Sequence, residues 1–262
     1  MPSSSVTDLS DLTGALADGS MKVVDLTQPL SETTPVLVLP EPFANTPHLS
    51  RKPLSRFDHD GPAWAWDVLE LGEHTGTHLD APIHWVTGRD GEDVASIPPE
   101  RLIAPVTVVD RTAEVAEDPG YLLTAAELDA HEAELGPIAP GSWLFFRSGW
   151  GSRAQDEAAF LNIGDQGPMT PGPDVTGATW LAEHPNVIGF GVETVGIDAG
   201  SAGGMDPGFP VHNFLLGAGR YGLTQLANLE ALPPTGAVVI VAPLKLVGGT
   251  GSPSRVLALV AG

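Results

Sequence analysis

Glycine and proline interrupt this chain so often that we expect many turns and many short elements rather than long helices. Of its 262 residues, 31 are glycine and 25 are proline, and both favour turns over the interiors of regular elements. Short segments with helical and strand patterns alternate along the chain. This alternation favours an α/β fold in which a mixed, barrel-like β-sheet carries peripheral helices, rather than a doubly wound sheet. No convincing linker interrupts it, and we expect residues 1–262 to form a single domain.

Periodicity and capping signals predict where the elements lie. The capping box Thr124-Ala-Ala-Glu127 predicts a helix start, and the proline-rich residues 33–62 are predicted to be irregular. We predict helices at residues 8–17 (capped by Thr7 or Asp8), 124–135, 174–184 and 212–216. We predict strands at residues 23–26, 64–71, 106–110, 143–147, 187–192, 238–242 and 255–260, and a strand-to-helix region at 223–232. Residues 193–209 are predicted to be a long Gly-rich loop, a kind of segment that usually carries function or disorder.

The charge of the chain argues against two classes of partner. It carries 33 acidic and 12 basic residues, a formal net charge of −21, which repels nucleic acid phosphates and anionic lipids. No run approaches ~18 consecutive apolar residues, and the first residues lack the pattern of a secretory signal. The absence of cysteine excludes disulfides and fits a cytoplasmic protein. We therefore expect a small-molecule substrate, and neither nucleic acid nor membrane as partner.

One segment concentrates residues that can bind a metal ion, His74-Thr-Gly-Thr-His78-Leu-Asp80-Ala-Pro-Ile-His84. Gly76 and Pro82 disfavour a helix here. The three histidines and the aspartate all occupy even positions, so in an extended strand their side chains would share one face. The spacing therefore predicts four metal-capable side chains aimed into one cavity.

The residue types in this segment predict a catalytic metal site. Imidazole and carboxylate together suit zinc, manganese or iron, whereas calcium and magnesium prefer oxygen ligands. Two histidines and one carboxylate leave positions open for water and substrate. A water bound there has its pKa lowered towards ~7, so hydroxide becomes available at neutral pH. A fourth residue, His84, is the candidate for moving the water proton.

The motif resembles the signature of a cyclase family that includes bacterial kynurenine formamidase and isatin hydrolase. VVDLTQPLSETTP resembles the family's opening strand, GFPVHNFLL its downstream histidine segment, and PLKLVGGTGSPSRVLAL its closing strands. The resemblance implies the family's swivelling β/β/α fold and metal-dependent hydrolysis of amides. It also implies a homodimer or homotetramer in which loops complete the neighbouring subunit's pocket.

The resemblance also implies roles for individual residues. The family's metal ligands correspond to His74, His78 and Asp80, and its catalytic histidine corresponds to His84. His212 matches a second histidine, which binds a second zinc in the formamidase branch. Gln225 stands where that branch has a glutamate ligand. Because a neutral amide replaces an anion there, one divalent ion is favoured over two, with Mn²⁺ slightly ahead of Zn²⁺.

The hypothesis that follows is a hydrolase that opens the amide C–N bond of a small aromatic substrate. That substrate would be an isatin-like lactam or an N-formyl aryl amine. The metal would polarise the carbonyl and supply hydroxide, and His84 would pass the water proton to the leaving nitrogen. Two alternatives stay open. A metal-dependent lyase or cyclase would stabilise an enolate instead, and a non-catalytic protein would use the metal to bind an aromatic ligand.

Aromatic residues make up only 6% of the chain, yet several lie close to the motif or in loops. A slot of aromatic rings would suit a flat bicyclic substrate. The candidates for that slot are Phe57, Trp64, Trp66, Trp85 and Trp150, and Gln225 is a candidate for contacting the substrate or supporting the ligands. Glu193 and Asp198 are interpreted as structural or supporting. Residues 248–253, GGTGSP, are interpreted as a turn, because they lack the Lys-Ser/Thr ending of a phosphate loop.

Overall fold

The computed structural model describes residues 9–165 and 167–262, so the predicted cap at Thr7 or Asp8 lies outside the described residues. The strands are β1 Met21–Asp25, β2 Ser50–Asp58, β3 Gly61–Glu70, β4 His78–Asp80, β5 Ile103–Asp110, β6 Leu122–Leu123, β7 Ser142–Arg147, β8 Ile163–Gly164, β9 Gly167–Pro168, β10 Gly172–Pro173, β11 Val187–Val192, β12 Tyr221–Thr224, β13 Ala237–Pro243 and β14 Gly251–Ala261. The helices are α1 Ser10–Asp18, α2 Pro99–Leu102, α3 Thr112–Glu117, α4 Ala125–Leu135, α5 Glu157–Leu161 and α6 Val175–Glu183.

Seven of these strands close into a barrel. Their order is β14-β13-β5-β7-β11-β12-β4, and β4 then pairs with β14 to complete the circle. The run from β5 through β12 is parallel, whereas β4, β13 and β14 join their neighbours antiparallel. β1 adds to β14 from outside the circle. The predicted α/β fold with a mixed, barrel-like sheet is therefore confirmed.

Alternation along β7 explains why the protein has two apolar cores. Trp143 and Phe145 belong to the cluster inside the barrel. Leu144 and Phe146 belong to a second cluster, between the sheet and the helices α3, α4 and α6. All four side chains are fully buried, and burying each contributes roughly 1.5–3 kcal/mol. A strand covered on both faces reads as a continuous apolar run, as β7 does.

Two glycines in β11 make room for the large rings of β7. Gly189 pairs with Trp143, and Gly191 pairs with Phe145. A Cβ atom at either glycine would lie 2.4 Å from the partner's ring. Glycine is required at both positions because the rings lie directly over the backbone of β11, which no side chain could share.

The helices on the outer face begin where the sequence predicts. The Thr124 hydroxyl accepts from Glu127 N and the Glu127 carboxylate accepts from Thr124 N, so the predicted capping box is confirmed. Asp174 caps α6 by accepting from Gly177 N at 2.8 Å. Most other predicted elements agree with the structure to within a few residues at each end. Within the described part of the chain, no helix combines the length and apolar character of a membrane span.

The prediction of an irregular segment over residues 33–62 is wrong in its second half. β2 and β3 form an antiparallel hairpin over residues 50–70. Pro53 is tolerated because β2 pairs on one side only, and the register shifts directly beyond this proline. One face of the hairpin is strongly exposed, with Trp64 50% and Trp66 58% accessible to solvent. The proline content led us to predict irregular structure where an edge strand, which tolerates proline, is formed.

Candidate metal centre and active site

The three predicted ligands converge where the barrel closes. β4 lies between β12 and β14, and strand alternation turns His78 and Asp80 to one face while Leu79 enters the inner core. Asp80 Oδ1 lies 2.8 Å from His74 Nδ1 and 3.3 Å from His78 Nε2. One ligand atom from each of the three residues lies within 4.8 Å of the others. The side chains thus share one site.

A single strand through the whole motif, as the even spacing predicted, is wrong. Only His78–Asp80 is a strand, because Gly76 before it adopts a φ of +63° and Pro82–His84 after it forms a 3₁₀ turn. The left-handed conformation at Gly76 separates His74 from the strand. The turn that follows brings the ring of His84 against that of His74, with centroids 4.0 Å apart. The four side chains meet through two turns rather than through strand periodicity.

Both candidate ligand rings have their second nitrogen held. His78 Nδ1 donates to the Gly76 carbonyl oxygen at 2.7 Å, and the Thr224 hydroxyl lies 2.9 Å from the same nitrogen. His74 Nε2 lies 2.9 Å from the Thr250 hydroxyl. Ligand histidines are commonly oriented by such a bond from the nitrogen that does not bind the metal. His74 Nδ1 and His78 Nε2 therefore face the carboxylate.

The carboxylate of Asp80 is buried and charged. Burial by itself would raise its pKa, but electrostatic attraction to the neighbouring imidazoles of His78 and His74, together with their hydrogen bonds, outweighs burial and holds the pKa well below its usual value. An anionic oxygen beside two imidazole nitrogens is a donor set that suits zinc, manganese or iron. The residues present therefore fit one divalent cation.

His84 and His212 face the same site, and their pKa values are shifted in opposite directions. Their ring centroids are 5.5 Å apart. Burial lowers the pKa of His84 to about 4, although the charge of Asp80 opposes this effect, so this ring is neutral at pH 7. Burial would also lower the pKa of His212, but the hydrogen bond and charge of Asp198 outweigh it and raise the pKa. A neutral imidazole can accept a proton, and a cationic one can stabilise an anion.

Asp198 holds the π-helical turn His212–Leu216 at its start. Its Oδ1 accepts from Val211 N at 2.7 Å, and its Oδ2 accepts from the backbone N of His212 at 3.1 Å and from His212 Nδ1. Because Nδ1 is engaged, Nε2 is the nitrogen of His212 that remains for a substrate. Asp198, interpreted from sequence as structural or supporting, thus contacts a candidate catalytic residue directly.

Of the aromatic residues predicted to form a slot, Trp85 lies at the site. Its ring centroid is 4.8 Å from that of His212 and 5.8 Å from that of Phe209, a residue that the sequence did not single out. Trp150 is fully buried in the outer cluster and is a core residue. The exposed hairpin carries the remaining candidates, Phe57, Trp64 and Trp66. Contact of the hairpin residues with substrate stays a prediction.

Gln225 lies directly behind the motif. It is 1% exposed, and its backbone carbonyl accepts from the Thr77 hydroxyl at 2.6 Å. Its side-chain Oε1 is buried, and no hydrogen-bond partner for it is found among the described residues. The predicted role of Gln225 in contacting the substrate or supporting the ligands stays a prediction.

Besides Phe209, the residues at the site that the sequence did not single out include Glu73 and Thr250. Glu73 precedes the first motif histidine, and Thr250 belongs to the segment interpreted as a turn. Thr250 contacts His74 from 176 positions away in the sequence. Glu73 could have been found from the sequence, because it is adjacent to the first histidine of the motif. No local pattern indicates that Thr250 belongs to the site.

Comparisons with known proteins identify the family of the chain. Residues 24–199 match the family model described as "Putative cyclase". An isatin hydrolase from Roseibium aggregatum is 49% identical over 255 residues, covering 96% of this chain and 97% of that protein. A kynurenine formamidase from Salinibacter ruber is 32% identical, covering 71% and 76%. The crystal structure of an isatin hydrolase bound to the product analogue thioisatinate matches with a TM-score of 0.95 and 48% identity, covering 100% of both chains. The chain therefore belongs to this cyclase family.

Proposed function

We propose that this chain, a metal-dependent hydrolase of non-peptide C–N bonds, opens the lactam ring of isatin or a close analogue. The observation that carries the proposal is the cluster of His74, His78 and Asp80. It occurs in a chain that aligns with an isatin hydrolase over nearly its full length. An aryl lactam has a better leaving nitrogen than an alkyl amide, so a single cation is sufficient to activate it.

The residues around the ligands have complementary tasks in this reaction. When bound, a divalent cation supplies Lewis-acid chemistry, which polarises a carbonyl and acidifies water. Neutral His84 accepts a proton from the attacking water. The water oxygen bonds to the lactam carbonyl carbon, the C–N bond breaks, and His84 returns the proton to the leaving nitrogen. The raised pKa of His212 favours its protonated form, and in that form the ring stabilises the negative charge that develops and the carboxylate that forms.

We favour one cation per chain, with manganese ahead of zinc. Asp198 already accepts three N–H donors, two of them from His212. Gln225 is neutral, so a second cation beside His212 would lack the negative charge that offsets it. Elemental analysis of protein purified without added metal should give one equivalent. Two equivalents that both depend on His212 would contradict the single-ion assignment.

We further propose that the chain acts as a homo-oligomer, a homodimer or homotetramer, in which the hairpin reaches a neighbouring subunit. The supporting observation is that the hairpin exposes the large apolar side chains of Phe57, Trp64 and Trp66, because exposed apolar surface of this kind can mark an interaction site. Trp66→Ser should shift the mass measured by light scattering towards the monomer. Ile103→Ser, at a residue that is 58% exposed on β5, is the matched control. Equal masses for both variants and the wild type would refute this role.

The test of the function is hydrolysis of isatin in oxygen-18 water. We expect one labelled oxygen in the product carboxylate, and we expect His84→Ala to reduce kcat by about 10²–10⁴, the usual contribution of a positioned proton carrier. His48→Ala, at an exposed histidine outside the motif, is the control and should keep full activity. Turnover without label would favour the lyase alternative. No turnover with any carbonyl substrate, with ligand affinity intact in His84→Ala, would favour the non-catalytic alternative.

A second candidate substrate class is the N-formyl aryl amines. The similarity to a kynurenine formamidase, 32% identical, favours it. Both classes present a carbonyl on an aryl nitrogen, so the same site chemistry serves both. A comparison of kcat/KM for isatin and for a formyl anilide decides between them, and we expect isatin to be preferred.

Two broader expectations stay predictions. Residues 1–262 are interpreted as one domain, an interpretation supported by the pairing of β4 with β14, which joins residues 78–80 to residues 251–253. Limited proteolysis that releases a stable fragment would contradict it. A cytoplasmic location is expected from the absence of cysteine, and fractionation of the producing cells tests it.

A further inference from the structure

A chain of hydrogen bonds extends from His74 away from the metal-binding side of its ring. His74 Nε2 lies 2.9 Å from Thr250 Oγ1. Thr250 Oγ1 donates to Glu73 Oε2 at 2.6 Å, and Thr250 N donates to the same oxygen at 3.0 Å. The three residues come from two segments, since Glu73 and His74 precede β4 whereas Thr250 precedes β14.

The direction of these bonds is set by what each group can donate. A carboxylate only accepts hydrogen bonds, whereas a hydroxyl has a single proton to give. The proton of Thr250 is given to Glu73, so the hydroxyl can only accept from His74. Nε2 of His74 must therefore carry a hydrogen. Without a cation, Nδ1 also carries a hydrogen, since it lies 2.8 Å from the Asp80 carboxylate, which can only accept. A bound cation would displace that hydrogen, and with Nε2 protonated Nδ1 is the nitrogen whose lone pair would hold the cation.

Two further contacts hold the ring of His74. His84 stacks on one side at 4.0 Å. The backbone of Gly251 lies against the ring so closely that a Cβ there would be 2.4 Å from His74 Cε1. Stacking and this backbone contact set the plane of the ring but do not determine which nitrogen carries the hydrogen. For His78, a backbone carbonyl makes that choice, whereas for His74 the choice depends on two side chains.

We propose that Glu73 and Thr250 are positioning residues that select the Nε2–H tautomer of His74 and thereby set the affinity of the site for its divalent cation. This inference rests on the proposed assignment of His74 as a ligand. Without the carboxylate, the Thr250 hydroxyl is free to donate to Nε2 instead. The hydrogen of His74 then moves to Nδ1, where it blocks the position of the cation.

Metal affinity of the stripped, full-length protein tests the proposal, measured for Zn²⁺ and Mn²⁺ by competition with a chelator. Thr250→Val removes the hydroxyl at nearly constant shape and should weaken binding by about 10- to 100-fold, the usual effect of losing such a partner. Thr250→Ser keeps the hydroxyl and should stay within about threefold of wild type. Glu73→Gln should fall between the two, because an amide can either accept from or donate to the hydroxyl.

A tautomer readout separates this role from loss of structure. In the Zn²⁺-loaded protein, ¹⁵N NMR should show a hydrogen on Nε2 of His74 in the wild type and in Thr250→Ser. In Thr250→Val this hydrogen should exchange rapidly with water, because Nε2 has lost its acceptor. An unchanged Nε2–H signal together with wild-type affinity in both Thr250→Val and Glu73→Gln would overturn the proposal.

The control variant disturbs the same loop without touching the ring. Asp93 Oδ2 accepts from Gly248 N at 2.6 Å, two residues before Thr250. Asp93→Asn should leave metal affinity unchanged, and an equal loss in this variant and Thr250→Val would mean that loop order alone matters. His74→Ala is the reference for ligand loss. If His74→Ala binds metal as tightly as the wild type does, the ligand assignment of the proposed function fails. If only Thr250→Val and Glu73→Gln keep wild-type affinity, the present proposal fails and the ligand assignment stands.

Discussion

Replacing Asp198 with asparagine should damage both the stability of the protein and the pH range of its activity. The carboxylate accepts from Val211 N and from two nitrogens of His212. An asparagine has one oxygen, which can serve His212 only if its NH₂ group faces Val211 N. That arrangement leaves a buried N–H without an acceptor, at a cost of ~1–3 kcal/mol, and makes the remaining bonds neutral. We expect a total loss of about 2–4 kcal/mol.

The pH dependence of Asp198→Asn follows from the raised pKa of His212. A histidine whose pKa is higher in the folded state stabilises the fold fully below its unfolded pKa of about 6.5, and this contribution is lost as pH rises through the folded pKa. The stability gap between wild type and variant should therefore be widest in acid and narrow in alkali. If cationic His212 holds the developing anion, the alkaline limb of kcat/KM should also move to lower pH. A fall of one pKa unit reduces the charged fraction there by about tenfold.

Urea unfolding and pH–rate profiles of the two proteins measure these effects. Asp174→Asn is the matched control, because Asp174 also caps a helical segment but does not contact His212. Asparagine caps helices about as well as aspartate, so the control should change stability by less than about 0.5 kcal/mol. A destabilised Asp198→Asn protein whose pH–rate profile matches that of the wild type would show that Asp198 serves the fold alone, and the role given to cationic His212 would be refuted.

Three further perturbations have directions set by the structure. Asp80→Asn removes the anion of the metal cluster, so dialysed protein should retain well under one equivalent of metal by elemental analysis; full occupancy would contradict the site. Gly191→Ala places a Cβ 2.4 Å from the Phe145 ring and should cost about 1–3 kcal/mol or more in urea unfolding, whereas Gly196→Ala, with no atom within 4 Å, should not. Burial raises the pKa of Glu193. The free energy of unfolding of the wild type, relative to that of Glu193→Gln, should therefore fall as pH rises from about 4.5 through the folded pKa. A difference between the two proteins that does not change with pH would refute the shift.

Local sequence determined the chemistry of the site and the kind of fold. The identity of the ligand atoms is a property of the residues in the motif, and strand alternation alone turns His78 and Asp80 to one side of Leu79. The capping box at Thr124 and the strand β7 could be predicted for the same reason. Each depends on interactions between residues a few positions apart, and these form whatever the tertiary structure around them.

Only the tertiary structure decided how the rest of the site is assembled. Closure of β4 on β14 brings Thr250 to His74, and Asp198 reaches His212 only because the loop after β11 folds back on itself. The hairpin of β2 and β3 formed despite its prolines, since an edge strand needs few of its N–H groups. Periodicity describes neighbours along the chain, whereas these contacts depend on which strands lie side by side after the barrel has closed.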